Sequence, residues 1–127
     1  MNEIRVLLVD DEVELVSTLA ERLSLRGIFA DWATSAEEAL ERLSSSAYDV
    51  AVLDVKIPRI SGIELKKRME EKSPGMKFIF ITGHGSEADF QAGSAEAGPD
   101  YYLVKPVNIE DLIKKMREVL TGKGGTE

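Results

Sequence analysis

Five short apolar runs, each followed by a stretch of helical periodicity, most limit what this chain can fold into. Residues 6–9, 28–32, 50–53, 78–81 and 101–104 have strand length and are rich in branched and aromatic side chains. Between and after them, apolar residues recur at helical spacing. Leu15, Val16, Leu19 and Leu23 do so in the first such segment, and Ile109, Leu112, Ile113, Met116 and Leu120 in the last. Strict βα alternation predicts a parallel sheet with helices on both faces, joined by right-handed crossovers. The common order for five such strands is 2-1-3-4-5, with a switch point between strands 1 and 3. The expected class is α/β, a doubly wound (βα)5 fold.

Local signals punctuate this pattern. Gly27 stops the first helix, and Ser35 with Glu38 and Ser61 with Glu64 have the spacing of capping boxes. Ala36, Ala39, Leu40 and Leu43 form the inner face of the second helix. Pro58 makes 55–60 a loop, and Asn108 caps the final helix. The segment after Ser86 is the weakest helix, with Gly93 in its interior and Phe90 as its only large apolar residue. At 127 residues the chain reads as one domain over 1–121, with 122–127 a flexible tail or linker stub. A net charge of −7 disfavours a nucleic-acid or anionic-membrane surface, and the absence of cysteine excludes disulfides and thiolate metal sites. There is no signal-peptide pattern and no apolar run near ~20 residues, so a cytoplasmic location is expected.

The ends of strands 1 and 3 carry the chemistry. The first closes in Asp10-Asp11-Glu12 and the third in Asp54. Neighbouring strands lie ~4.8 Å apart, so these acids converge in the crevice where such sheets place ligands. Clustered carboxylates either take up protons or bind a hard cation that keeps them ionised. Oxygen-only ligands suit Mg²⁺ or Mn²⁺ rather than zinc. Such a site attracts a phosphorylated partner, and a carboxylate beside it can attack phosphorus to form an aspartyl phosphate. Thr82 after strand 4 and Lys105 after strand 5 offer a hydroxyl and an ammonium to the equatorial oxygens. Pro106 restrains Lys105 to extended geometry. Glu12 is read as a helix-start acid favoured by the dipole.

Four segments in order resemble the receiver domains of two-component response regulators. They are Leu7-Leu8-Val9-Asp10-Asp11, Asp54-Val55-Lys56-Ile57-Pro58 with Gly62, Thr82-Gly83-His84-Gly85, and the stretch from Ala97 to Pro106. The resemblance spans nearly the whole chain and implies a flavodoxin-like fold. It implies that Asp54 accepts a phosphoryl group from a phosphohistidine of a sensor histidine kinase or phosphotransfer protein. Asp11, Asp54 and the Lys56 carbonyl would ligate Mg²⁺, with Asp10 acting largely through water. Thr82 and Lys105 would contact the phosphoryl oxygens, and Tyr102 falls at the aromatic switch position. Lys56 and His84, two residues beyond Asp54 and Thr82, would tune the phosphoryl lifetime. The fourth helix, fifth strand and fifth helix would form the output face and a possible homodimer surface.

Plainer readings stand beside these. Tyr102 also suits core packing, His84 a solvated loop, and Lys114, Lys115 and Arg117 a solvated helix face. Departures from the family pattern gather between Thr82 and Ala97, a segment one residue longer than the usual spacing and poor in bulky aliphatics, and at Ser61 and Pro99. A haloacid-dehalogenase-type phosphatase would need Asp-x-Asp after strand 1, and a flavodoxin-like electron carrier would need uncharged phosphate ligands there. A phosphorylation-independent interaction module on the same fold is the remaining alternative. The expectation is a phosphoacceptor switch, not an enzyme acting on an outside substrate.

Overall fold

The computed structural model describes residues 4–57, 59–83 and 102–121. Within them the order is β1 (Arg5–Val9), α1 (Val13–Leu25), β2 (Phe29–Ala33), α2 (Ala36–Ser45), β3 (Val50–Asp54), α3 (Gly62–Lys72), β4 (Lys77–Thr82), β5 (Tyr102–Val104) and α4 (Ile109–Thr121). The last of these is the fifth helix of the sequence reading. The expected fourth, over 86–97, lies outside the described residues. The strands form one parallel sheet in the order β2-β1-β3-β4-β5, the flavodoxin-like arrangement.

Successive strand residues point to opposite faces, and the two cores divide accordingly. Val6, Leu8, Val50, Val52, Ile79 and Ile81 pack under α1 and α4. Leu7, Val9, Ala51, Leu53, Phe78 and Phe80 pack under α2 and α3. With both faces covered, strands at the centre are apolar up to the edge that carries the site, and all five residues of β3 are buried, its last being Asp54.

Helix ends follow the sequence signals, with corrections of detail. Gly27 takes φ +81, a conformation that a side chain would disfavour, and the Gly27 and Ile28 N–H groups bond back to Ser24 and Leu23. That closure uses Ile28, so β2 begins at Phe29, one residue later than expected. Ser35 Oγ accepts the Glu38 N–H at 3.1 Å, but the Glu38 carboxylate returns to the Thr34 N–H at 2.9 Å rather than to Ser35. Ser61 Oγ accepts from Glu64 in the same way, whereas the Glu64 side chain turns to Arg68. Asn108 Oδ1 accepts from both Glu110 and Asp111 at the start of α4. The buried face of α4 includes Val119, outside the apolar set read from the sequence, while Leu120 is only partly buried.

Candidate functional site

Sheet register sets the site. Val9 pairs with Leu53 and Asp54 with Ile81, so Asp10 and Asp54 emerge side by side at the carboxyl edge of β1 and β3. Backbone bonds hold the edge in place: Asp10 N–H to Ala33, Val55 N–H to Ile81 and Lys105 N–H to Thr82. Asp10, Asp54 and Thr82 are the buried polar residues among those described. Asp10, Asp11 and Asp54 each offer a carboxylate oxygen within 4.8 Å of the others, a donor set that could hold a metal ion. Asp11 is the exposed member.

Lys105, carried in from β5, reaches this cluster. Its Nζ lies 3.0 Å from Asp10 Oδ2, 3.1 Å from Asp54 Oδ2 and 3.4 Å from Glu12 Oε1. The contact with Asp54 is a hydrogen bond; that with the buried Asp10 Oδ2 is an ion pair without hydrogen-bond geometry. The Lys105-Pro106 peptide is cis. The other oxygens of the two buried acids belong to their own loops. Asp10 Oδ1 accepts the Glu12 N–H at 2.9 Å, and Asp54 Oδ1 accepts the Lys56 N–H at 3.0 Å.

Burial pushes the Asp10 carboxyl up from 3.8 to about 6, and the neighbouring Asp54 charge adds to the rise against the pull of the Glu12 N–H and Lys105. Burial also works against the charge on Lys105, but the Asp10 and Asp54 carboxylates outweigh it and hold its pKa above the ordinary lysine value. The site is thus short of positive charge. Its oxygen ligands, crowding and raised carboxyl pKa fit a hard divalent cation, which would keep Asp10 ionised.

The β3–α3 loop frames one side. Gly62 N–H bonds to the Val55 carbonyl at 2.8 Å, and a Cβ on Gly62 would collide with the Asp54 backbone carbonyl, so only glycine admits this close approach. An open depression of about 410 Å³ extends from Asp11 past Lys56 to Ser61. The Lys56 side chain is exposed beside it. Thr82 ends β4, one residue beyond the partner of Asp54. Tyr102, opposite Phe80, is half-buried against the core under α2 and α3. His84 lies outside the described residues.

One residue of the cluster was misread in the sequence. Glu12 occupies the N-cap of α1, but its side chain makes no capping bond and reaches Lys105 instead. The available signal was the lysine after strand 5, which the topology brings against Asp10 and Glu12 after strand 1.

A doubly wound parallel sheet with buried acids and a lysine gathered at the carboxyl edge of its strands defines a flavodoxin-like α/β domain with an acidic cleft. The family model described as "Response regulator receiver domain" matches residues 6–117, and the chain belongs to that family. It is 33% identical over 117 residues to the response regulator MprA of Mycolicibacterium vanbaalenii, an alignment covering 92% of this chain and 50% of that protein. The chain therefore spans about half the length of the curated relatives it matches. Among solved structures it resembles a CheY-like receiver domain protein of Methanospirillum hungatei, with TM-score 0.83, 33% identity and coverage of 95% of this chain and 96% of that one. It also resembles the chemotaxis response regulator CheY4 of Vibrio cholerae, with TM-score 0.79, 30% identity and coverage of 94% and 100%. Receiver domains are phosphoacceptor modules phosphorylated by histidine kinases, and the family uses Mg²⁺.

Proposed function

We propose that this chain is a phosphorylation-controlled switch in which Asp54 is the acceptor, within a domain spanning 1–121. The observation that carries the reading is the placement of the Asp54 carboxylate. It is buried at the sheet edge between Asp10 and Lys105, with one oxygen held by the Lys56 N–H and the other turned into the cleft. In the transfer, an Asp54 oxygen forms the O–P bond as the P–N bond to the kinase imidazole breaks, and the leaving nitrogen takes up a proton. Asp11, Asp54 and the Lys56 carbonyl would hold Mg²⁺, with Asp10 acting largely through water, and the ion would supply charge neutralisation for the incoming phosphoryl group. Lys105 and Thr82 donate to the phosphoryl oxygens. Lys56 and His84 tune how long the phosphoryl group survives.

The added charge biases a two-state element. Thr82 and Tyr102, both near the β4–β5 edge, transmit that bias to the face that includes β5 and α4, where a partner or a second copy would read it. The location consistent with this role is cytoplasmic. Among the described residues no helix is long and apolar enough to cross a membrane. Intact-mass measurement after incubation with Mg²⁺ and acetyl phosphate tests the reading. A phosphoryl adduct that requires Mg²⁺ and disappears in Asp54→Asn is expected. No adduct on the wild-type chain would refute it and favour a phosphorylation-independent interaction module.

A further inference from the structure

We propose that Glu12 is a positioning residue: it receives the Lys105 ammonium when a divalent cation and its water take the Lys105-facing oxygens of Asp54 and Asp10, and so sets how readily the cation enters. The inference rests on the reading of Asp10, Asp11 and Asp54 as Mg²⁺ ligands.

The two buried acids each have one oxygen committed to a backbone N–H, Asp10 to Glu12 and Asp54 to Lys56. Their remaining oxygens both face Lys105 Nζ, at 3.0 and 3.1 Å. The ammonium therefore stands on the oxygens a cation would use. A cation arriving there repels it at short range, and an ammonium driven off Asp10 must find another acceptor or remain unpaired on a side chain that is only 19% exposed. Glu12 Oε1 is already 3.4 Å away. The Glu12 side chain is 61% exposed, against 5% for Asp10 and 8% for Asp54, so of the three acids around the ammonium it is the one free to follow it outward. Helix capping does not account for its pose, since it makes no capping bond at the start of α1.

A double-mutant cycle separates this role from a simple charge effect. Calorimetric titration with Mg²⁺ at fixed ionic strength compares the wild type, Glu12→Gln, Lys105→Met and the double variant. With Lys105 present, Glu12→Gln should weaken Mg²⁺ binding by about 3-fold, the scale of a partly exposed ion pair. In the Lys105→Met background, where no ammonium needs a new acceptor, the same change should have almost no effect. Glu12→Asp keeps the charge but shortens the reach, and should resemble Glu12→Gln. Equal weakening in both backgrounds, no weakening in either, or wild-type affinity in Glu12→Asp would each overturn the proposal while leaving the metal site intact. Absence of saturable Mg²⁺ binding by the wild type would overturn both the metal reading and this one. Unchanged melting temperatures for the Glu12 variants without metal would show that the comparison is between folded proteins.

Discussion

At the scale of single residues, the site trades stability for chemistry. Asp10 is buried beside another acid, and its pKa rises from 3.8 to about 6. The folded state therefore binds this proton more tightly than the unfolded chain does. The contribution is unpenalised below about pH 4, declines as pH rises toward 6, and above that carries a full penalty of about 3 kcal/mol. Asp10→Asn should accordingly raise the stability of the metal-free protein at about pH 7.5 by roughly 1–3 kcal/mol, a net figure in which the attraction to Lys105 already offsets part of the burial cost. The gain should vanish near pH 4, and urea denaturation across the pH range measures both. A gain that grew toward acid pH would contradict the assignment. Gly62 faces a different constraint, because the first turn of α3 lies directly against the Asp54 backbone carbonyl. Gly62→Ala should cost about 2 kcal/mol through overpacking. It should also lower the yield of phosphoryl adduct, since relief of the clash moves the residue that carries the carboxylate.

At the scale of elements, the helix starts were legible because capping is a local code. A serine or asparagine oxygen meets the N–H groups two or three residues on, at Ser35, Ser61 and Asn108 alike. Asn108→Ala should destabilise the fold by about 1 kcal/mol, since both freed N–H groups at the start of α4 lose their acceptor. Chemical denaturation reads this directly, and a change under about 0.3 kcal/mol would mean that water replaces the cap without loss. The same local code misled at Glu12. An acid at a helix start has a sufficient explanation in the dipole, and nothing nearby in sequence shows that a lysine 93 positions away will claim it. The early boundary expected for β2 has a similar origin, because Ile28 is as β-prone as its neighbours but is consumed in closing α1.

At the scale of the whole molecule, the central strands are fully buried between two cores and the outer ones only partly so. β3 is buried along its length between β1 and β4, whereas β2 is an edge strand whose first residue, Phe29, is 37% exposed. Hydrogen exchange should therefore be slowest in β3, at the rate of global unfolding, and faster in β2. Equal protection in the two would show that the sheet opens only as a unit. By itself, the amino-acid sequence determined, among the described residues, which segments become strands and helices and which strand ends carry acids. These depend on period, capping and side-chain type over a few residues. It also pointed to the strand order, through the alternation rule and not through any pairing signal of its own. Only the tertiary structure decided which carboxylate oxygens meet Lys105, that the Glu12 side chain turns to that lysine, and that burial drives up the pKa of Asp10. Those outcomes depend on burial and on distances between groups far apart in the chain, and neither exists until the sheet has been assembled.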